Sequence, residues 1–82
     1  MSPYAHKLLQ RAEGIWHNSG LLLEKKDITE DNGATKIVLL FKDISPALAE
    51  YVTSQMSKAF RRANIYWKNE DRIRVFVSIP PM

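Results

Sequence analysis

The segment SPALAEYVTSQMSKAFRRA, residues 45–63, has the clearest helical pattern in the chain and decides the fold. Apolar side chains recur along it at steps of three and four residues, which places them on one helical stripe roughly 100° wide. Segments of β character flank it, one ending at Phe41 and one starting at Ile65. We therefore expect this helix to connect two β-hairpins and to cover their sheet. The stripe consists of Leu48, Val52, Met56, Ala59, Phe60 and Ala63.

Each of the two predicted helices begins at a Ser-Pro pair. The Ser side chain can accept a hydrogen bond from an amide of the first turn, and Pro is preset for the first helical position. Ser2-Pro3 therefore predicts an amphipathic helix over residues 3–18, which ends before Gly20. Ser45-Pro46 predicts the second helix over residues 46–63.

Between the two helices, the sequence predicts a β-hairpin with strands over residues 21–29 and 35–42. Asn32-Gly33 lies between these strands and is the strongest short-range hairpin signal, because a two-residue turn of this type needs positive φ at both central positions. A two-residue turn at this point places Ile28 opposite Ile37.

Two registers remain open for the first strand of this hairpin. The register set by the turn leaves Glu24 and Lys26 on the buried side of the sheet. The alternative turns Leu21 and Leu23 inward and requires a β-bulge or an odd loop. In either register we expect the first strand to be a short or bulged edge strand.

A second hairpin, with strands over residues 65–68 and 72–79, follows the second helix. Apolar and polar residues alternate strictly along its later strand, which is typical of a strand that is buried on one side. A three-residue loop over residues 69–71 would keep the apolar side chains of both strands on one face and would pair Trp67 with Ile73.

The predicted order α-β-β-α-β-β indicates an α+β fold, in which two helices pack on one face of a four-stranded, mainly antiparallel sheet. Residues 1–82 should form a single domain, since a chain of this length has apolar surface for only one core. So short a chain buries only about 60% of the surface that it exposes when unfolded. A second copy would add to that burial, and we therefore expect a homodimer.

Composition excludes several classes of protein. The chain has no Cys, which rules out a disulfide framework and a thiolate metal site. Its amino terminus lacks the apolar run of a signal peptide, and no apolar run approaches the ~20 residues of a membrane span. We expect a cytoplasmic protein that does not bind a membrane.

Residues that could carry catalysis or hold a metal are few. The chain has two His, and on the predicted first helix His6 and His17 are ~16 Å apart, too far to share one metal. A Gly-rich phosphate loop is also absent from the sequence. We expect no enzyme, no cofactor and no metal. The alternative, a small basic ribonuclease, would combine His17 with Arg61, Arg72 and Tyr66.

If both helices cover one face of the sheet, the other face is the candidate binding surface. Val38 and Leu40 make the central strand apolar on this second face too, which indicates that a partner or a second copy covers it. Tyr66 and Phe76 belong to residue types enriched at the centres of protein interfaces. The first hypothesis is therefore a homodimeric regulator or inhibitor that contacts a protein through these four residues.

A single-stranded nucleic acid is the alternative partner for the same face. Aromatic rings would stack on bases, while neighbouring cations would meet phosphates. The segment 58–74 carries six Lys and Arg against two acidic residues, in a chain of formal charge +3. For Arg61 and Arg62, interaction with the dipole of the second helix is an equally good explanation. The candidate nucleic-acid residues are Arg61, Arg62, Lys68, Arg72 and Arg74.

Overall fold

The order of elements expected from the sequence is confirmed. A computed structural model describes residues 2–81 and shows two α-helices and a four-stranded antiparallel sheet. The elements are α1 Pro3–Asn18, β1 Leu22–Asp31, β2 Ala34–Lys42, α2 Pro46–Ala59, β3 Asn64–Asn69 and β4 Ile73–Ile79.

The strands lie in the order β1-β2-β4-β3, and every neighbouring pair is antiparallel. The two hairpins are therefore joined through their second strands, and β1 and β3 form the edges of the sheet. Both helices pack on one face of this sheet, which we call the inner face. The most deeply buried side chains between the helices and the sheet include Leu8, Trp16, Ile37, Leu39, Phe41, Val52, Met56, Val75 and Val77.

Both Ser-Pro pairs start a helix at the predicted position. Oγ of Ser2 accepts a hydrogen bond from the backbone amide of Ala5 at 3.1 Å. Oγ of Ser45 accepts one from the amide of Leu48 at 3.2 Å. These hydrogen bonds satisfy amides that have no carbonyl partner within the first helical turn.

Helix α2 ends at Ala59, earlier than the predicted end at residue 63. Phe60 leaves the helical conformation, with φ −127° and ψ 76°, and its side chain stays in the core with 5% exposure. The turn over residues 60–63 carries the chain to β3 without removing the Phe60 ring from the core. Ala59 was expected on the buried stripe and is exposed, whereas Ala49 and Thr53 are buried.

The first hairpin contains both of the registers that the sequence left open. Around the Asn32-Gly33 turn, where φ is 53° and 83°, Ile28 lies opposite Ile37. A β-bulge between Leu23 and Lys25 then shifts the register, and Leu23 packs against the core. After the bulge, the polar part of β1 keeps the register that the Asn32-Gly33 turn sets. Before the bulge, the apolar start of the strand still faces inward.

The ends of the strands differ from their predicted positions by at most two residues. The largest difference is in β1, which runs to Asp31 instead of residue 29. This edge strand is bulged, as expected, but with ten residues it is not short. Its last residues pair with the start of β2 up to the turn, which explains the added length.

The second hairpin has the predicted faces but not the predicted pairing. Its three-residue loop starts one residue later than predicted, and Trp67 lies opposite Val75 instead of Ile73. A slip of two residues leaves every side chain on its expected face, because side chains alternate with a period of two. The slip also places Tyr66 directly opposite Phe76, and their rings stack. This aromatic contact favours the observed register.

Candidate binding face

The sheet face opposite the helices, which we call the outer face, is not covered by any part of residues 2–81. Its members follow from the strand register, because side chains alternate between the two faces. Tyr66 is 40% exposed there, whereas Val38, Leu40 and Phe76 are half-buried by their neighbours. The longer outer-face side chains are Leu22, Lys25, Asp27, Thr29, Asp31, Lys36, Val38, Leu40, Lys42, Asn64, Tyr66, Lys68, Arg74, Phe76 and Ser78.

One row of outer-face side chains is aromatic and apolar over β3, β4 and β2, and ends at Asp27 of β1, which lies opposite Val38. Tyr66 lies opposite Phe76, and Phe76 lies opposite Val38. We call these three residues the aromatic row. The two rings stack with 5.2 Å between centroids and 12° between planes. Because β3 is an edge strand, no neighbouring strand among the described elements covers the ring side of Tyr66 that faces away from Phe76.

The ammonium group of Lys68 leaves this side of Tyr66 open. Its Nζ is 5.8 Å from the centroid of Tyr66 and 5.9 Å from that of Phe76. Nearly equal distances to two stacked rings place the charge beside the stack and not over the outer side of either ring. The stack alone would stabilise the hairpin by about 0.5–1.5 kcal/mol. A structural role and a binding role are therefore compatible.

The next row along the strands is cationic. Lys68 lies opposite Arg74, Arg74 lies opposite Leu40, and Leu40 lies opposite Lys25. These four residues form the cationic row, which crosses the sheet beside the aromatic row. Neighbouring rows on one face are two residues apart along each strand, or roughly 7 Å. A ligand of modest size can therefore touch rings and cations at the same time.

A polar row borders the aromatic row on its other side. Asn64, Ser78, Lys36 and Thr29 follow one another across the four strands. Together with the aromatic row, they line a groove of about 440 Å³. This volume lies within the range of known small-ligand pockets, roughly 300–1,000 Å³. The groove is thus large enough to hold a small ligand beside the aromatic row.

Positive charge predominates on the outer face. Apart from an ion pair at one end of the sheet, its strands carry five cations against two carboxylates. Both carboxylates lie on edge strand β1, so the positive charge is concentrated over β2, β3 and β4. The cations are Lys25, Lys36, Lys42, Lys68 and Arg74, and the carboxylates are Asp27 and Asp31.

Arg72, a predicted nucleic-acid residue, belongs to that ion pair. Its guanidinium donates to the carboxylate of Glu24 at 2.7 and 3.3 Å, and to the carbonyl of Phe41 at 3.4 Å. Glu24 lies at the bulge of β1, which brings its carboxylate to the β3–β4 loop. The hydrogen bond from Arg72 lowers the pKa of Glu24 and raises the pKa of Arg72. Arg72 therefore holds the loop against the first hairpin.

We expect this ion pair to make the stability of the fold depend on pH in acid. Hydrogen bonding to Arg72 lowers the pKa of Glu24 below its ordinary value of 4.5. Stability from the pair is therefore present above the unfolded-state pKa and is lost as the pH falls through the folded-state pKa. Urea midpoints measured from neutral to acidic pH should fall less for Glu24→Gln than for the wild type. Equal falls in both proteins would contradict this role, and Glu70→Gln in the adjacent loop is the matched control.

Arg61 and Arg62 do not lie on the strands that form the outer face. Both occupy the turn between α2 and β3. The guanidinium of Arg62 lies 4.7 Å from the ring centroid of Tyr4 in α1, a cation–π contact within the helical layer. The cation in the last turn of α2 is Lys58, so the dipole explanation applies to that residue instead. Of the predicted nucleic-acid residues, only Lys68 and Arg74 lie together on the outer face.

The residues of the ribonuclease alternative are spread over the molecule. His17 is exposed near the end of α1, Tyr66 lies on the outer face, and Arg72 is bound to Glu24. Within residues 2–81, no three His, Asp or Glu side chains are arranged to hold a metal ion. Over the same range, no helix is long and apolar enough to cross a membrane.

Two outer-face cations, Lys25 and Lys36, were missed in the sequence. Lys36 precedes Val38 by two residues, so the alternation along β2 was sufficient to place it. Lys25 lies opposite Leu40, and the register set by the Asn-Gly turn implies the same face. Leu22, which is 63% exposed, could not be placed in this way, because the bulge reverses the alternation at the start of β1.

Comparison with known proteins does not indicate a family. The sequence matches no protein-family model, and no curated protein is significantly similar to it. The chemistry of the outer face is therefore the basis for assigning a function.

Proposed function

We propose that the chain is a non-enzymatic binding module whose outer face binds single-stranded nucleic acid. The observation that carries this proposal is the aromatic row lying directly beside the cationic row. Bases stack on aromatic rings, and phosphates pair with Lys and Arg side chains. Tyr66 offers an accessible ring side, while Lys68 and Arg74 carry charges next to it.

The groove beside the aromatic row extends this interpretation. A base bound there would lie against the rings of the aromatic row and close to the polar groups of Asn64 and Ser78. Lys36 supplies a positive charge on the same side of the rings. Cations on both sides of the aromatic row suit a nucleic-acid strand, in which phosphates alternate with bases.

A protein partner, the first hypothesis from the sequence, remains the second candidate. Leu22 is 63% exposed, and Val38 and Leu40 add partly exposed apolar surface to the same face. Contact between two copies through this face is disfavoured, because it would bring the predominantly positive surfaces together. A homodimer should therefore use another surface. A protein that binds the outer face should carry acidic groups around an apolar centre.

A regulatory role and a cytoplasmic location are parts of the same proposal. A module that binds a strand without cleaving it can control access to that strand. The chain contains no Cys, which suits a reducing compartment.

The proposal is tested by removing the two central charges of the cationic row. Lys68→Ala combined with Arg74→Ala should weaken binding of a fluorescently labelled single-stranded oligonucleotide for every base composition. If each side chain contacts one phosphate, the slope of log affinity against log salt should decrease by about 1.4. Binding is best followed through the labelled strand, because Trp16 and Trp67 both pack on the inner side of the sheet.

Lys7→Ala combined with Arg11→Ala is the matched control. It removes one Lys and one Arg from the exposed surface of α1, in the helical layer. Equal loss of affinity in both double variants would indicate non-specific attraction and would contradict the proposed site. If the wild type binds no oligonucleotide but binds an acidic protein through Leu22 and Leu40, a protein partner replaces nucleic acid as the favoured ligand.

A further inference from the structure

The edge of the sheet formed by β1 has the features of a pairing site. β1 is the longest strand, with ten residues, and apart from Leu23 its side chains are exposed. Within the described sheet only β2 pairs with it, so its other side presents backbone amides and carbonyls to solvent. Ile28 lies near the middle of the regular part and is 39% exposed. Such an edge can accept another strand.

Symmetry restricts how two copies of this edge can pair. Two identical antiparallel strands in one continuous sheet are related by a twofold axis perpendicular to that sheet. Residues directly opposite each other point to the same face of the sheet. In this strand, an odd-numbered residue can therefore lie opposite only an odd-numbered residue of the other copy, and an even-numbered residue only an even-numbered one. Each permitted register is therefore centred on one residue, which faces its own counterpart.

The register centred on Ile28 is complementary in charge over residues 25–31, the regular part of the strand. It brings two apolar side chains together at the axis and places each cation opposite a carboxylate of the other copy. Asp27 meets a hydroxyl that can donate a hydrogen bond to it. The opposed residues are Lys25 with Asp31, Lys26 with Glu30, Asp27 with Thr29, and Ile28 with Ile28.

Every neighbouring register places like charges opposite each other. Centring on Lys26, Asp27 or Glu30 opposes that residue to its own counterpart. Centring on Thr29 opposes Asp27 to Asp31 on both sides of the axis. Like charges directly opposite each other destabilise a strand pair, whereas opposite charges stabilise it. The charge pattern of β1 therefore selects one register.

We propose that the protein forms a homodimer in which β1 pairs with β1 of a second copy in the register centred on Ile28. The two four-stranded sheets become one continuous sheet, and the twofold axis places both outer faces on the same side. The 3.8 Å ion pair between Lys25 and Asp27 is highly exposed, so it leaves the Lys25 ammonium accessible to the second copy. This dimer does not depend on which ligand the outer face binds.

Charge reversal in β1 tests the pairing. An acidic variant, Lys25→Glu with Lys26→Glu, and a basic variant, Glu30→Lys with Asp31→Lys, should each self-associate at least about tenfold more weakly than the wild type. An equimolar mixture of the two should form a heterodimer, because every reversed residue then meets an opposite charge. Sedimentation velocity with a label on the acidic variant measures this heterodimer.

The control separates pairing of β1 from attraction between oppositely charged proteins. Glu13→Lys with Glu70→Lys gives the same net charge as the basic variant but leaves β1 unchanged. In the proposed register its unchanged β1 opposes the reversed residues of the acidic variant with like charges, so this control should form a weaker heterodimer with the labelled acidic variant than the basic variant does. A heterodimer with the control as stable as that with the basic variant, a wild type that is monomeric at every soluble concentration, or charge variants that dimerise like the wild type would each overturn the proposal.

A cysteine pair tests the register directly, because the natural chain has no Cys. In the proposed dimer the two copies of residue 28 are directly opposite, with Cα atoms about 4.5–5.5 Å apart, which is within disulfide range. Ile28→Cys should therefore form a disulfide dimer rapidly in a glutathione buffer. Thr29→Cys is the control, since Thr29 faces Asp27 of the other copy and its counterpart lies two residues away. Equal cross-linking of both variants would contradict this register.

Discussion

Replacing Trp16 by Ala should remove a large part of the stability of the fold. The indole is 1% exposed at the centre of the core, and its ring lies 5.4 Å from that of Phe41 in an edge-to-face arrangement. Removing a buried Trp or Phe side chain costs about 3–5 kcal/mol, while the whole stability of a domain is about 5–15 kcal/mol. Urea unfolding followed by circular dichroism measures this loss.

Trp16→Phe is the informative second variant at this position. Nε1 of Trp16 is buried and has no hydrogen-bond partner among residues 2–81. A buried donor without a partner costs about 1–3 kcal/mol, and Phe removes that cost while it keeps an aromatic ring. Trp16→Phe should therefore destabilise the fold much less than Trp16→Ala. Equal losses in the two variants, or a loss below about 1 kcal/mol for Trp16→Ala, would contradict this description of the core.

Replacing Tyr66 by Ala should weaken binding of single-stranded nucleic acid about 5- to 150-fold, because base stacking on one ring is worth about 1–3 kcal/mol. Tyr66 has an open ring side at the edge of the outer face. Tyr66→Phe keeps the stacking surface and should preserve most of the affinity. Fluorescence anisotropy of a labelled oligonucleotide at fixed salt measures both variants.

Tyr51→Ala provides a matched control for this substitution. Tyr51 is 53% exposed, compared with 40% for Tyr66, but it lies on α2 in the helical layer. Its removal should leave the affinity unchanged. If Tyr51→Ala weakens binding as much as Tyr66→Ala, or if neither has an effect, the aromatic row is not the binding surface.

Local signals in the sequence were sufficient to predict the elements of the fold. Ser-Pro pairs mark helix starts, and Asn32-Gly33 marks the first turn. Each of these signals depends only on interactions among a few neighbouring residues, so it can be recognised without knowledge of the packed structure. The end of α2 was not predictable in this way. It depends on Phe60 staying in the core while the chain turns towards β3, which is a property of the packed structure.

The faces of the strands were easier to predict than their pairing. Val38, Leu40, Tyr66 and Phe76 all lie on the expected face, because a slip of two residues does not change which side a residue points to. The stacked pair itself depends on the length and position of the β3–β4 loop, which the sequence pattern left undetermined. The alternation of side chains along each strand was therefore sufficient to predict which residues lie on the outer face, whereas the strand register determined how they form rows.

The roles of the arginines could not be predicted from local sequence. Arg72 is bound to Glu24, which is distant in the chain and reaches the loop through the bulge of β1. The guanidinium of Arg62, in the turn after α2, lies over the ring of Tyr4 in α1. Both contacts are tertiary. A cluster of cations in the sequence was thus divided between structural positions and the outer face.

The central claim is that single-stranded nucleic acid binds the outer face. It is tested most directly by an NMR titration of the isotopically labelled protein with a short single-stranded oligonucleotide. The largest shifts are expected at the amides and side chains of the aromatic and cationic rows, above all Tyr66, Lys68, Arg74 and Phe76, with little change in α1. Shifts concentrated on the helices, or no shifts at concentrations that saturate ordinary single-strand binders, would contradict the claim.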